Sequence, residues 1–243
     1  MVLADLHIHS TFSDGKMSIS EIVDFYGQRG FGMIAITDHL CEENSTLGKA
    51  ARFLEKTLTR ETFSEYIKTI KLEAERAKDR YGMLVIPGFE LTKNSLVNHR
   101  SAHILALGVE EFISADDDVF EICQKIRNAG GLSVAAHPVD TRKFEPQTYH
   151  LWSRRRELSQ VIDAWEVASG PHLFTEVVES GLPMLASSDL HAPKNIHAWK
   201  TILHTEKKFE AVKQAVRKQK LSFKFYKEDA AVCSTAAIPQ FVM

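Results

Sequence analysis

The sequence lacks the features of a membrane or secreted protein. None of its apolar runs approaches the length of a transmembrane helix, and the first five residues, MVLAD, lack the basic stretch and apolar core of a secretion signal. These absences predict a cytoplasmic protein with no membrane partner.

Cysteine is scarce. The chain has three cysteines, Cys41, Cys123 and Cys233, which are far apart and form no C-x-x-C pair. This excludes a zinc knuckle or a redox-active cysteine pair, and it predicts three free thiols.

An excess of either charge is also missing. Thirty basic residues face 32 acidic ones, so the net charge is −2 and no overall field attracts nucleic acid or an anionic membrane. The 44% hydrophobic and 26% charged residues are typical of a globular protein, and 243 residues suit one domain.

Short apolar stretches alternate with segments of helical periodicity, which is the pattern of βα units. Seven strands are predicted, at residues 3–7, 33–36, 84–88, 102–107, 132–136, 161–166 and 183–187. Helices are predicted from Ser18 or Ser20 to before Gly30, and at residues 62–81, 117–129, 173–180 and 208–218. We expect one α/β domain over residues 1–228 and a C-terminal tail over residues 229–243.

Metal-binding residue types follow most of these strands. In a parallel barrel, the carboxyl ends of all strands meet at one rim, where active sites are built. Residues i and i+2 share a face, so His7 with His9, and Asp189 with His191, can serve one site. His103 is the exception because it lies near the start of its strand, which suggests that this strand is misplaced by a few residues.

Nine side chains are candidate metal ligands: His7, His9, Asp14, His39, Glu90, His103, His137, Asp189 and His191. One zinc ion takes only three or four protein ligands, so nine imply two or three divalent ions, with a carboxylate such as Glu90 as a bridge. Imidazole and carboxylate without thiolate suit zinc, manganese or iron. Asp38 is a candidate for orienting His39.

The sequence resembles the PHP (polymerase and histidinol phosphatase) family along nearly its whole length. The motifs that carry the resemblance are D-x-H-x-H-S at residues 5–10, T-D-H at 37–39, G-x-E at 88–90, A-H-P at 136–138 and S-D-x-H at 188–191.

The resemblance implies a distorted seven-stranded, TIM-like (β/α)7 barrel and metal-dependent phosphoesterase activity. It also implies how the ligands are shared. One ion would be held by His7, His9, Glu90 and Asp189, a second by Glu90, His103 and His137, and a third by Asp14, His39 and His191.

Clustered metals suit phosphate-ester hydrolysis because a hydroxide that bridges two ions is a nucleophile at neutral pH. The expected substrate is a small phosphorylated metabolite, either a phosphomonoester or a nucleotide. Arg142 is the first candidate for binding its phosphate, followed by His197 and Lys194. His191 and Asp38 are candidate general acids, and residues 40–59 and 140–156 are candidate substrate loops.

Three other functions remain open. A nuclease acting on DNA or RNA 3′ ends would use the same metals, but the net charge disfavours it. Hydrolysis of a carbon–nitrogen bond would need the same metal hydroxide. An inactive regulatory domain would usually have lost ligands, and none is lost here.

Overall fold

Strands and helices alternate along most of the chain. The computed structural model describes residues 1–94, 101–139 and 149–228. The strands are β1 (Val2–Asp5), β2 (Met33–Ile36), β3 (His39–Cys41), β4 (Leu84–Lys93), β5 (Ala102–Leu107), β6 (Leu132–Ala135), β7 (Ala164–Ser169), β8 (His172–Leu173), β9 (Met184–Ser187), β10 (Trp199–Leu203) and β11 (Leu221–Phe225). The helices are α1 (Ile19–Gly27), α2 (Thr46–Phe53), α3 (Arg60–Tyr81), α4 (Val119–Asn128), α5 (Tyr149–Ser153), α6 (Arg155–Leu158), α7 (Thr175–Glu179) and α8 (Phe209–Arg217), with a 3-10 helix at Pro193–Ile196.

The strands form one curled sheet in the order β11-β10-β1-β2-β4-β5-β6-β7-β8, while β3 pairs with β4 and β9 pairs with β7. The α/β class is as predicted. The count of seven strands is not confirmed, because the described ranges contain eleven. The seven predicted strands overlap β1, β2, β4, β5, β6, β7 and β9, and the short or peripheral strands β3, β8, β10 and β11 were not predicted.

The expectation that all strands run in one direction is wrong for β5. This strand is antiparallel to both β4 and β6, whereas β1, β2 and β4 are parallel neighbours and β6, β7 and β9 form a second parallel set. The bounds predicted for β5 were correct, and its direction was not. Because β5 is reversed, its first residues lie at the edge where its neighbours end, so the position of His103 requires no shift of the strand.

The two faces of the sheet carry separate apolar clusters. Alternate strand residues, such as Ala4, Met33, Leu105 and Val134, pack with Val212, Ala215 and Val216 of α8. The intervening residues pack beneath α1, α3 and α4. Successive side chains of a strand thus point alternately to one cluster and to the other.

Helix ends follow local sequence signals. Ser18 caps α1 in a capping box with Glu21, and Asp118 caps α4 by accepting from the backbone N–H of Phe120. Helix α3 ends at Tyr81 and is capped by Gly82, which has φ of 58°. The periodicity of residues 62–81 predicts that Leu72 faces inward with Tyr66, Ile67 and Ile70, but in the structure Leu72 is 70% exposed.

None of the helices in the described ranges is long and apolar enough to cross a membrane. Cys41 and Cys123 are buried free thiols, as predicted. Cys233 and the rest of the predicted tail, residues 229–243, lie outside the described residues.

Strand β1 is held along both edges. One edge pairs with β2; the other pairs with β10 and then, at Ile8, forms a parallel bridge with Leu190 beyond β9. The backbone of His9 donates to Leu190 (2.9 Å), and that of Leu190 donates to His7 (3.2 Å). These bonds bring the segment after β1 beside the segment after β9.

The buried carboxylate of Asp5 ties the same two segments together. It accepts hydrogen bonds from the hydroxyl of Ser188 (2.6 Å), the backbone N–H of Ser188 (3.0 Å) and the hydroxyl of Tyr26 (2.7 Å). The ammonium of Lys200, also fully buried, lies 2.7 Å from Asp5 Oδ2. Such a pair contributes little net stability, but breaking it leaves one charge buried without compensation.

We therefore expect Asp5→Asn to lower the free energy of unfolding by about 3–5 kcal/mol, because Lys200 loses its counter-ion. Urea denaturation of chelator-treated protein measures this change. The double variant Asp5→Asn/Lys200→Met should recover much of the loss, since it removes the orphaned charge. Equal losses in both variants would contradict this explanation.

Candidate metal centre

The polar site continues the inward face of the sheet above its apolar cluster. Along β4, Glu90 lies four residues after Ile86; along β5, His103 lies two before Leu105; along β7, Glu166 lies two after Ala164. An even spacing in a strand preserves the face, so these three polar side chains point the same way as the apolar ones. The carboxylates of Glu90 and Glu166 are fully buried.

The first group of candidate ligands consists of His7, His9, Asp189 and Glu90. His9 Nε2 is 3.0 Å from His7 Nε2 and 3.2 Å from Asp189 Oδ1. Both Nε2 atoms lie 3.6 Å from an oxygen of Glu90. Tetrahedral bonds of about 2.1 Å separate ligand atoms by about 3.4 Å, so this spacing suits one ion.

The second group shares Glu90 with the first. Glu90 Oε1 is 3.0 Å from His103 Nδ1 and 3.5 Å from His137 Nε2. His7, Glu90 and His137 also offer ligand atoms that lie within 4.8 Å of one another. Glu90 therefore belongs to both groups, and its role as a bridge between two ions stays a prediction.

The third group consists of Asp14, His39 and His191, with His9 beside them. Asp14 Oδ1 is 3.2 Å from His191 Nε2, 3.7 Å from His39 Nε2 and 3.9 Å from His9 Nδ1. The ring of His9 thus directs Nε2 to the first group and Nδ1 to the third.

The loop that carries Asp14 is folded tightly against the end of β1. At Gly15, a Cβ atom would lie 2.2 Å from the carbonyl oxygen of His9, so only glycine fits. Asp38, which is fully buried, accepts from the backbone and hydroxyl of Ser10 and from the hydroxyl of Ser13, at 2.6–2.8 Å. These contacts fix the loop and thereby the carboxylate of Asp14.

Two of the candidate ligands have backbone conformations that are rare for residues with a side chain. His137 has φ of 27° and Asp189 has φ of 52°. Each costs on the order of 1–3 kcal/mol and persists only where the surroundings impose it. Strain of this kind is concentrated at functional sites.

Three buried polar atoms of the cluster have no hydrogen-bond partner among the described residues: His9 Nδ1, Asp14 Oδ1 and Glu90 Oε2. Although His39 Nδ1 lies 2.7 Å from Glu90 Oε2, its hydrogen bond is to the hydroxyl of Thr92 (2.8 Å). Buried polar atoms without partners are costly, and cations at these positions would compensate them. The residues therefore fit a group of divalent metal ions.

Electrostatics prepare part of the site for a cation. Burial, assisted by His39 and His191, lowers the pKa of His9 to about 3, so this ring is neutral and can act as a ligand at neutral pH. Burial alone would raise the pKa of Glu90, but the nearby histidines outweigh it and hold this pKa well below its usual value. Asp189 behaves in the same way beside His7 and His9.

The first group is the more buried in three of its four side chains. Those of His7, His9 and Glu90 are fully buried and that of Asp189 is 28% exposed, whereas those of Asp14 and His191 in the third group are 37% and 31% exposed. The cluster therefore opens to solvent at the third group.

The structure brings together all nine candidate ligands, including His103. Asp38, a candidate proton donor and a candidate partner of His39, instead contacts the loop of Ser10 and Ser13, and it is Thr92 that contacts His39. Lys194 and His197 are exposed, and in the described ranges no hydrogen bond or ion pair joins them to the cluster. Arg142 lies outside the described residues, so its role in phosphate binding stays a prediction.

Sequence reasoning missed Glu166. Its Oε1 is 3.0 Å from His7 Nδ1, and its Oε2 accepts the backbone N–H of His137 (2.8 Å). The available signal was a single carboxylate inside the apolar segment AWEVA. A charged residue in a buried strand is rare unless it is paired.

Comparison with known proteins identifies the family. Residues 5–150, more than half of the chain, match the PHP domain family. A protein of Eggerthella lenta named phosphoribosyl 1,2-cyclic phosphate 1,2-diphosphodiesterase is 30% identical over 110 residues, which cover 45% of this chain. The matched stretch covers 32% of that protein, so the similarity extends over about a third of its length.

Solved structures share the fold. A two-domain protein from Bacteroides vulgatus, described as containing a predicted PHP-like metal-dependent phosphoesterase, superimposes with a TM-score of 0.65 at 20% identity. The superposition covers 93% of this chain and 65% of that one. An amidohydrolase from Chromobacterium violaceum superimposes with a TM-score of 0.51 at 20% identity and covers 78% of this chain and 88% of the other. The chain belongs to the PHP domain family.

Metal binding should stabilise the protein. A metal that binds only the folded state at a hundredfold excess over its dissociation constant adds about 2.7 kcal/mol. For a chain of this size, we expect the thermal midpoint of chelator-treated protein to rise by roughly 5–10 °C on addition of zinc or manganese. Differential scanning calorimetry measures the shift, and renewed chelation should reverse it. An unchanged midpoint with zinc, manganese and iron would argue against a metal centre.

Proposed function

We propose that this protein is a metal-dependent hydrolase that cleaves the phosphate ester of a small phosphorylated metabolite. The observation that carries the proposal is the convergence of nine side chains in three groups, two of which share Glu90. Buried ligand atoms without hydrogen-bond partners support it. Membership of the PHP family and the phosphodiesterase name of the Eggerthella relative support the choice of a phosphate ester.

The three groups have different tasks in this proposal. Divalent ions, when bound, supply Lewis acidity toward phosphoryl oxygens and a nucleophile at neutral pH. His7, His9, Asp189 and Glu90 hold the deepest position, and Glu90 links it to His103 and His137. Asp14, His39 and His191 lie where solvent reaches the cluster, so the phosphate would enter on this side.

His191 is our candidate for handling a proton near the leaving group. Burial alone would lower its pKa, but the neighbouring carboxylates of Asp14 and Asp189 raise it to about 9 in the metal-free protein. Its partial exposure puts it within reach of a substrate. Asp38 is better explained as a positioning residue, because its carboxylate is occupied by Ser10 and Ser13.

The substrate is proposed to be small because the chain as a whole offers no electrostatic attraction for a polyanion, with a net charge of −2. The Eggerthella relative is named for a cyclic phosphodiester of a phosphoribosyl compound. Both monoesters and diesters therefore belong in the substrate panel, beside a single-stranded oligonucleotide and an amide substrate for the two alternative activities.

We also propose that seven strands, β1, β2, β4, β5, β6, β7 and β9, form a distorted barrel. The support is the parallel bridge between Ile8 and Leu190, which joins the segments beyond the first and last of these strands.

The decisive experiment combines metal analysis of the purified protein with the substrate panel, run with zinc, manganese or iron. We expect His7→Ala and Asp189→Ala each to lower bound metal and to reduce turnover at least about 100-fold, because both remove ligands of the first group. His204→Ala is the matched control, since among the described residues the side chain of this exposed histidine hydrogen-bonds only to the hydroxyl of Ser222. Full activity with unchanged metal content in the His7 or Asp189 variant would refute the assignment.

The third group can be tested separately. Asp14→Ala should remove one equivalent of metal and retain the others, because Asp14 contacts neither Glu90 nor His103. Asp14→His should restore metal content, since imidazole is also a ligand for these ions. Inductively coupled plasma mass spectrometry measures the stoichiometry. Loss of all bound metal in Asp14→Ala would show that the groups are not separable.

A further inference from the structure

Glu166 lies inside the sheet and touches two of the candidate ligand groups. It is fully buried, and a register shift between β7 and β9 follows it, at Glu166/Ala168. A bulge of this kind redirects a side chain and is frequent beside active sites. The carboxylate reaches His7 through one oxygen and His137 through the other.

The contact with His7 determines which ring nitrogen is available to a metal. His7 Nδ1 lies 3.0 Å from Glu166 Oε1. Because a carboxylate can only accept, the hydrogen of this bond must be on Nδ1. In the neutral ring, Nε2 then carries the lone pair. This is the atom that lies 3.4 Å from Asp189 Oδ1 and 3.6 Å from Glu90 Oε1.

The contact with His137 holds a backbone rather than a ring. The amide of His137 donates to Glu166 Oε2 at 2.8 Å, and the residue has the positive φ of 27°. Glu166 therefore stabilises a rare conformation that directs His137 Nε2 toward Glu90 Oε1, 3.5 Å away.

We propose that Glu166 is a positioning residue that couples the first and second metal sites by fixing the tautomer of His7 and the backbone of His137 at the same time. The inference rests on the proposed metal-dependent function. It requires that loss of this one carboxylate weaken two sites together and spare the third, because no contact joins Glu166 to Asp14, His39 or His191 within the described ranges.

Glu166→Gln is the informative variant, because glutamine matches the shape but has only one acceptor oxygen. If that oxygen accepts from His137, the amide group donates to His7 Nδ1 and moves the ring hydrogen to Nε2, the ligand atom. If it accepts from His7, the amide group faces the N–H of His137, and two donors oppose each other. Either orientation disrupts one partner.

The experiment is calorimetric titration of chelator-treated protein with zinc, together with metal content by mass spectrometry and urea denaturation without metal. For Glu166→Gln we expect affinity at the two deep sites to fall about 10- to 100-fold, with the third site unchanged. Glu166→Asp keeps the charge and should recover part of the affinity. If Glu166→Gln does not fold, Glu166→Asp takes its place in the test.

Thr92→Val is the matched control. Thr92 Oγ1 lies 2.8 Å from His39 Nδ1 and also donates to the backbone carbonyl of Glu90 (3.2 Å), but no hydrogen bond between described residues joins it to the Glu90 carboxylate, so this variant should weaken mainly the third site. Unchanged affinity in Glu166→Gln, loss at only one deep site, or an equal loss at all three sites accompanied by lower metal-free stability would overturn the inference. Absence of zinc, manganese and iron binding in the parent protein would instead refute the proposed function, and this inference with it.

Discussion

Carboxylates that are removed from water must be compensated, and this constraint governs the interior of the protein. Asp5, Asp38, Glu90 and Glu166 are all fully buried. Asp5 has an ammonium partner and Asp38 has hydroxyl and amide donors, so each is satisfied by the chain itself. Glu90 differs, because it faces only histidines and one of its oxygens has no hydrogen bond among the described residues. The site is thus a place where the protein alone leaves charge to be balanced by a cation.

The same strands supply both the stable core and the reactive layer. Below, the inward positions are apolar and pack on α8; above, they become histidine, aspartate and glutamate. Most outward positions are apolar and are covered by helices, with Asp5 and Ser133 as buried polar exceptions. Asp5 and Asp38, whose carboxylates are paired within the chain, hold the loops that carry Ser188 and Asp14. Stability and site geometry therefore depend on the same contacts.

Much of this arrangement could be predicted from the sequence, and the failures have physical reasons. Motifs at strand ends identified the nine side chains that converge, because strand ends and the alternation of side chains along a strand can be read from local sequence. The direction of β5 could not be read, since an apolar strand has the same pattern in either direction; His103 was the only sign of it. Glu166 was missed because its function depends on contacts with His7 and His137, 159 and 29 residues away along the chain.

Strand β1 shows what the pairing at both edges achieves. Its partners are β2 on one side and, on the other, first β10 and then Leu190. A slip of one residue along any of them would turn His7 and His9 away from the interior and bring apolar neighbours in their place. Since each neighbour independently opposes such a slip, the alignment of the two histidines does not rely on a bound ion, and an ion would meet ligands that are already in register.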